Sequence, residues 1–230
     1  MLILALPVLL AATLVGPSPG ADIYAAKCAS CHGAQASGSP NGPSLQRVGL
    51  ADVDFQLTTG RMPAANPGVE VAHRDERAGQ QLPLDQIRAL EAFLAPVVAG
   101  GPPIPQVIVG PNGAHGRDLY ASNCMACHAV GGNGGSIGES DWAPALNLAT
   151  INEVADAIRA GPGQMPRFGA GQLSQSDLDD LAGYVMSLQT LEPGAGGIPL
   201  HSTGPVPEGA IGYVAIVILI SFVFGFWRTT

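Results

Sequence analysis

Cys28-Ala29-Ser30-Cys31-His32 returns roughly a hundred residues later as Cys124-Met125-Ala126-Cys127-His128, and the two pentapeptides hold all four cysteines of the 230-residue chain. Cys-x-x-Cys-His is the attachment motif of c-type haem. Two thiols three positions apart each add across a vinyl group, and the adjoining imidazole reaches the iron as the proximal ligand. Cys-x-x-Cys also serves redox and zinc sites. A thioredoxin-like site needs a βαβ setting that neither copy has. A structural zinc cage would take Cys28, Cys31, Cys124 and Cys127 and leave both histidines incidental. A histidine directly after both motifs favours two covalently bound haem c groups.

The repeat extends beyond the motifs. Ala21-Asp22-Ile23-Tyr24 answers to Arg117-Asp118-Leu119-Tyr120, Gly42-Pro43-Ser44-Leu45 to Ala143-Pro144-Ala145-Leu146, and Gly60-Arg61-Met62-Pro63 to Gly163-Gln164-Met165-Pro166. Each unit closes on an amphipathic stretch, Leu84 to Val97 and Ser176 to Leu188, with apolar residues at helical spacing. The expected order in each is helix, haem motif, proline loop, Met-Pro, helix. A haem iron held by one histidine takes a sixth ligand, and a thioether gives the His/Met pair that raises potential in cytochromes c. Met62 and Met165 occupy the same slot in both copies and are the expected iron ligands, opposite His32 and His128. Met1, Met125 and Met186 are read as core filler. Pro43 and Pro144 are placed to offer a backbone carbonyl to the other ring nitrogen of each histidine. Arg61 and Gln164 face either haem propionates or solvent. His73, His115 and His201 have no matching partners and are read as surface residues.

Thirty-one glycines and twenty prolines indicate long irregular connections. Small domains of this kind are marginal on apolar burial alone, and a covalent haem would serve as a large core group. The predicted fold is mainly α: two tandem cytochrome c domains with a C-terminal transmembrane helix and a hydrophobic N-terminal segment. Residues 1–20 read as a signal peptide or N-terminal anchor, 21–99 as the first domain and 100–113 as a Pro/Gly linker. Residues 114–190 read as the second domain, 191–209 as a Gly/Pro linker and 210–228 as the transmembrane helix. The last rests on the uncharged run from Ala210 to Trp227, with Arg228 on the cytoplasmic side. No Lys or Arg precedes Lys27, and cleavage near Ala21 or retention as a second membrane helix are both open. Either way the haem domains are expected outside the cytoplasm, at the plasma membrane. A net charge of −8 makes nucleic acid a poor partner. No Ser-His-Asp pattern, phosphate loop or paired-carboxylate motif rises above background, and no catalytic residue is assigned.

Over nearly its whole length the chain resembles the dihaem cytochrome c subunit of actinobacterial cytochrome bc complexes, the menaquinol–cytochrome c reductases. The resemblance rests on Cys28 to Gly33, Gly42-Pro43-Ser44-Leu45, Thr59-Gly60-Arg61-Met62-Pro63, Cys124 to His128, Ala143-Pro144-Ala145-Leu146, Gln164-Met165-Pro166, and Gly204-Pro205-Val206-Pro207-Glu208-Gly209 before the final apolar run. It implies cytochrome b and a Rieske iron–sulfur protein as partners, within a translocase-class reductase. It further implies electrons passing from the Rieske cluster through both haems to the copper-containing subunit of a cytochrome c oxidase in a supercomplex. Rival readings are a c-type subunit of a cytochrome oxidase or of a periplasmic dehydrogenase, a dihaem peroxidase, and a zinc-binding adaptor. A peroxidase needs an open iron site, which the matched methionines oppose.

Overall fold

The computed structural model describes residues 18–64, 81–138, 142–190 and 205–229, the last segment with side chains over 209–224. The apolar N-terminus through residue 17, residues 191–204 of the second Gly/Pro stretch, and His73 and His201 lie outside the described residues. The chain divides into two compact units, Met1–Gly101 and Pro102–Thr230.

In the first unit, α1 (Pro19–Lys27) begins where the Ser18 hydroxyl accepts from Ala21 N–H, with proline in the first turn where a missing N–H does no harm. One turn of helix, α2 (Ala29–His32), carries the first haem motif, followed by α3 (Leu50–Thr58) and α4 (Leu84–Val98). Ile87, Leu90, Leu94 and Val98 recur at helical spacing on α4 and are buried, forming one core with Tyr24, Val53 and Leu57. α1 packs on α4 at Gly20, where a Cβ would stand 2.1 Å from Ala89 O and 2.7 Å from Phe93 Cβ. Only a residue without a side chain lets the two backbones come so close. Tyr24 and Phe93 continue the crossing, ring centroids 5.5 Å apart.

The second unit repeats this frame with α5 (Gly113–Asn123), α6 (Met125–His128), α7 (Ile151–Ala160) and α8 (Gln175–Leu188). It adds a small antiparallel hairpin of β1 (Gly135–Ser136) and β2 (Trp142–Ala143). At Gly116 a Cβ would meet Asp180 O at 2.1 Å and Tyr184 Cβ at 2.9 Å, and the Tyr120 and Tyr184 rings meet at a tilt of 55°, centroids 5.5 Å apart. Capping boxes start both later helices, Thr150 with Glu153 and Ser174 with Asp177. The chain ahead of α5 is fastened to α8: Gln175 Nε2 donates to Gln106 O (2.8 Å), Ile108 N to Asp179 Oδ1 (3.2 Å), Gly110 N to Asp179 O (3.0 Å) and Asn112 N to Asp180 Oδ1 (3.1 Å).

Three expectations need correction. Helices α3 and α7 stand between the proline loop and the Met-Pro step, where only loop was expected; both are short, and only Thr150-x-x-Glu153 announced one of them. His115 is at the surface as read, its side chain 42% exposed, but it stands on α5 and not in a loop, and it has partners: its Nδ1 lies 3.1 Å from Asp180 Oδ2 and its Nε2 3.6 Å from Asp177 Oδ1. The transmembrane helix at 210–228 is overturned: among the described residues no helix is long and apolar enough to cross a membrane. The chain does form α9 (Pro205–Thr229), with exposed apolar side chains such as Ile218, Leu219 and Phe222. Its uncharged run from Ala210 to Trp227 rises only about 27 Å at 1.5 Å per residue, below the ~30 Å hydrocarbon core.

Candidate functional site

Each Cys-x-x-Cys-His begins as the preceding helix breaks and re-forms for one turn. In the first unit Cys31 N and His32 N both donate to Cys28 O, at 3.1 and 2.9 Å; in the second Cys127 N and His128 N both donate to Cys124 O, again at 3.1 and 2.9 Å. The histidine follows the first cysteine by four positions and so lies on the same face of the turn. All four thiols are unbridged. Burial pushes the Cys28 and Cys124 thiols up to about 11, the reverse of the lowered thiol a disulfide oxidoreductase needs. Among the described residues no group of three or more His, Cys, Asp or Glu side chains converges on a metal-ion position.

His32 and His128 are buried, 8% and 9% exposed. Nδ1 of His32 lies 2.8 Å from Pro43 O, and Nδ1 of His128 lies 3.0 Å from Pro144 O. A carbonyl only accepts, so each Nδ1 carries the proton and each Nε2 keeps its lone pair free for a metal. Burial also holds His128 below the ordinary imidazole range, favouring the neutral ligand form. The turn after each histidine is closed by a tyrosine from the preceding helix: Tyr24 OH donates to Gly33 O and Tyr120 OH to Ala129 O, both at 2.7 Å. Sequence reasoning aligned these tyrosines without giving them a task. Their position four residues before the first cysteine of each motif was the available signal.

The methionines sit on loops hung from the unforeseen helices. Met62 is half-buried against the first core, and its N–H donates to Gln56 O on α3 at 2.9 Å. Its peptide bond to Pro63 is cis, and the Arg61 guanidinium lies 4.5 Å over the Phe55 ring. Met165 is half-buried against the second core. Its loop is held by Phe168 N–H to Ile158 O (2.9 Å) and by Arg159, whose guanidinium donates to Phe168 O (3.0 Å), Leu173 O (2.8 Å) and Ser174 O (3.4 Å). Nothing in the sequence marked Arg159, because a buried cation serving carbonyls has no motif. Met186 packs against the second core, whereas Met125, read as core filler, is exposed. A metal-ready imidazole, a thioether on the core and a pair of thiols in each unit make a donor set that fits haem c.

Known proteins match along the same division. The family model described as "Cytochrome c" matches residues 17–97, and that described as "Cytochrome C oxidase, cbb3-type, subunit III" matches residues 111–185. The "Cytochrome bc1 complex cytochrome c subunit" of Mycobacterium leprae is 37% identical over 212 residues, covering 87% of this chain and 71% of the relative. The chain belongs to the cytochrome c subunits of cytochrome bc1 complexes. The subunit of the same name from Corynebacterium diphtheriae is 32% identical over 222 residues, covering 88% of this chain and 77% of its own length. A cytochrome c6 from Cyanidium caldarium is 37% identical over 84 residues, 35% of this chain and 75% of that protein. As a member of this family the chain is an electron-transfer cytochrome c with two cytochrome c-type domains and two covalently bound haem c groups.

Proposed function

We propose that this subunit carries electrons from the Rieske iron–sulfur protein of its complex, where cytochrome b is the other partner, to the copper-containing subunit of a terminal cytochrome c oxidase. Haem c, when bound, supplies the one-electron ferric/ferrous chemistry. In this reading Cys28 and Cys31 hold the first haem by thioethers and Cys124 and Cys127 the second. His32 with Met62, and His128 with Met165, are the iron ligands, with Pro43 and Pro144 orienting the histidines. The first unit is the acceptor and the second the donor to the oxidase. Both work on the extracytoplasmic side of the plasma membrane, where c-type attachment takes place.

The observation that carries this reading is the duplicated His Nδ1 to Pro carbonyl hydrogen bond. Two ligands are thereby pre-oriented, so little reorganisation accompanies a change of charge at either site. The match of residues 111–185 to an oxidase subunit favours a second reading, a c-type subunit of a cytochrome oxidase. One experiment separates them: a reduced-minus-oxidised spectrum of the assembly purified from native membranes through this chain. Two c haems per chain accompanied by b haem support the bc reading, and c haem without b sinks it. Substituting Met165 should impair oxidase reduction while sparing reduction of the first haem; equal loss at both overturns the assigned order.

A further inference from the structure

Two carboxyl groups meet in the interior of the first unit, between α3 and α4. Asp54 on α3 is 3% exposed and Glu91 on α4 is 7% exposed. Among the described residues, Oδ1 of Asp54 and Oε1 of Glu91 find no hydrogen-bond donor. Among the described residues one cation reaches both side chains: Arg88 lies 2.7 Å from Glu91 Oε2 and 3.6 Å from Asp54 Oδ1. One guanidinium cannot balance two buried carboxylates, and an unmatched buried charge is strongly unfavourable. A proton held between the two orphaned oxygens satisfies both at once. Burial, and then the hydrogen bond to Asp54, pushes the Glu91 carboxyl up to about 7 against the pull of Arg88. Among the described residues, Asp54 across the interface and Arg88 one turn earlier are the charged groups acting on Glu91; α1, also packed on α4, contributes none.

The second unit shows that this helix pair does not need the acids. Counted from the caps Gly49 and Thr150, Asp54 corresponds to Ala155; counted from Pro83 and Ser174, Glu91 corresponds to Ala182. Both alanines are 0% exposed. At these two positions the helix pair carries a protonatable pair in the first unit and alanines in the second, whose own buried acids, Asp156 and Asp180, stand elsewhere on α7 and α8. The pair also lies on the path to a ligand loop, since α3 carries Asp54 and, two residues on, the Gln56 carbonyl that accepts Met62 N–H.

We propose that Asp54 and Glu91 form a proton-binding site, confined to the first domain, whose occupancy is linked to the redox state of that domain. One electron from the complex's upstream donor takes the first iron from ferric to ferrous, and the donor is oxidised by one electron. The pair takes up one proton from water in the same event and releases it on reoxidation. The added electron favours the proton by simple attraction, and the held proton favours the electron by the same coupling. The potential of the first domain therefore falls as pH rises through neutrality, and that of the second does not fall by this route.

The inference rests on the first unit being a haem domain. The test is a spectroelectrochemical titration of the full-length haem-loaded protein between about pH 5 and about pH 9. In the unsubstituted protein one of the two midpoint potentials should fall with pH. Glu91→Gln, and the double change Asp54→Ala with Glu91→Ala that installs the second unit's residues, should flatten it and leave the other potential unmoved. The reduced-minus-oxidised infrared spectrum should gain a protonated-carboxyl stretch that Glu91→Gln removes. Two pH-independent potentials before substitution, or a pH-dependent one that survives both variants, overturn the proposal. Denatured chain retaining fewer than two haems overturns the haem reading instead, and with it the proposal.

Discussion

Replacing Gly116 by alanine tests whether the α5–α8 crossing is as tight as its geometry states. The added Cβ would sit 2.1 Å from Asp180 O, 2.7 Å from Asp180 C and 2.9 Å from Tyr184 Cβ, where ordinary contact begins at 3.4 Å. The nearest atom is backbone and cannot rotate away, so the helices must part by about 1.3 Å, the difference between 3.4 and 2.1 Å. Parting them also strains the Asp180 contacts to His115 and Asn112 N–H. Overpacking of this kind costs up to ~3 kcal/mol, and alanine returns ~1 kcal/mol in helix propensity, leaving a net loss of about 2 kcal/mol. For a domain of this size the melting temperature should drop by roughly 10 °C. The assay is thermal unfolding of the haem-loaded chain followed by visible circular dichroism, with Gly113→Ala as the control on the same helix. Nothing lies within 4 Å of a Cβ at Gly113, so the control should melt at or slightly above the parent temperature. Equal melting of Gly116→Ala and the parent would refute the reasoning, because no crossing that close could absorb the methyl without loss.

Other outcomes follow from the same contacts. Arg159→Leu strips donors from the carbonyls of Phe168, Leu173 and Ser174, and should cost about 3 kcal/mol. With it, about half of the methionine–iron charge-transfer absorbance of the oxidised protein should disappear; retention of the whole band would separate Arg159 from the Met165 loop. Tyr120→Phe removes the hydrogen bond to Ala129 O while keeping the ring, and should lower stability by ~1 kcal/mol in urea unfolding, as should Tyr24→Phe in the first unit. Glu91 gives the first unit a pH-dependent stability. Its carboxyl is raised from 4.5 to about 7 on folding, so the folded state holds the proton more tightly. That contribution is complete below about pH 4.5 and fades as pH rises through about 7, and the urea midpoint should decline across that window and stay level in Glu91→Gln.

What the sequence revealed, and what it hid, follows from the range of each interaction. The haem motifs, the paired Met-Pro steps and the closing helices are local patterns, and the helices near Leu84–Val97 and Ser176–Leu188 appear as Leu84–Val98 and Gln175–Leu188. The role of Arg159 was invisible because it depends on carbonyls brought back by a loop nine to fifteen residues ahead. The Asp54–Glu91 pair was hidden for the same reason, as each acid alone reads as a solvated helix residue. His115 looked solitary only because its partners, Asp177 and Asp180, arrive on another helix. The error at the C-terminus was of another kind: the run was legibly apolar, yet among the described residues no helix is both long and apolar enough to cross a membrane.

The two copies share a frame and differ in what fastens the loops to it. A glycine crossing, a tyrosine hydroxyl on the turn after the histidine, and a proline carbonyl on Nδ1 occur in both with nearly the same distances. Those contacts fix the orientation of the imidazole in each motif and leave little room for variation. Both methionine loops are tied by a backbone hydrogen bond to the preceding helix, α3 or α7, and the second alone adds a buried guanidinium, that of Arg159. The second helix interface likewise holds an acid pair in one copy and alanines in the other. Separate fastenings let each centre be adjusted without disturbing the other, as the proposed transfer through both haems in series requires. Glu91→Gln should therefore alter only one potential, and Arg159→Leu only the other; a single substitution that moves both equally would show that the units are not tuned independently.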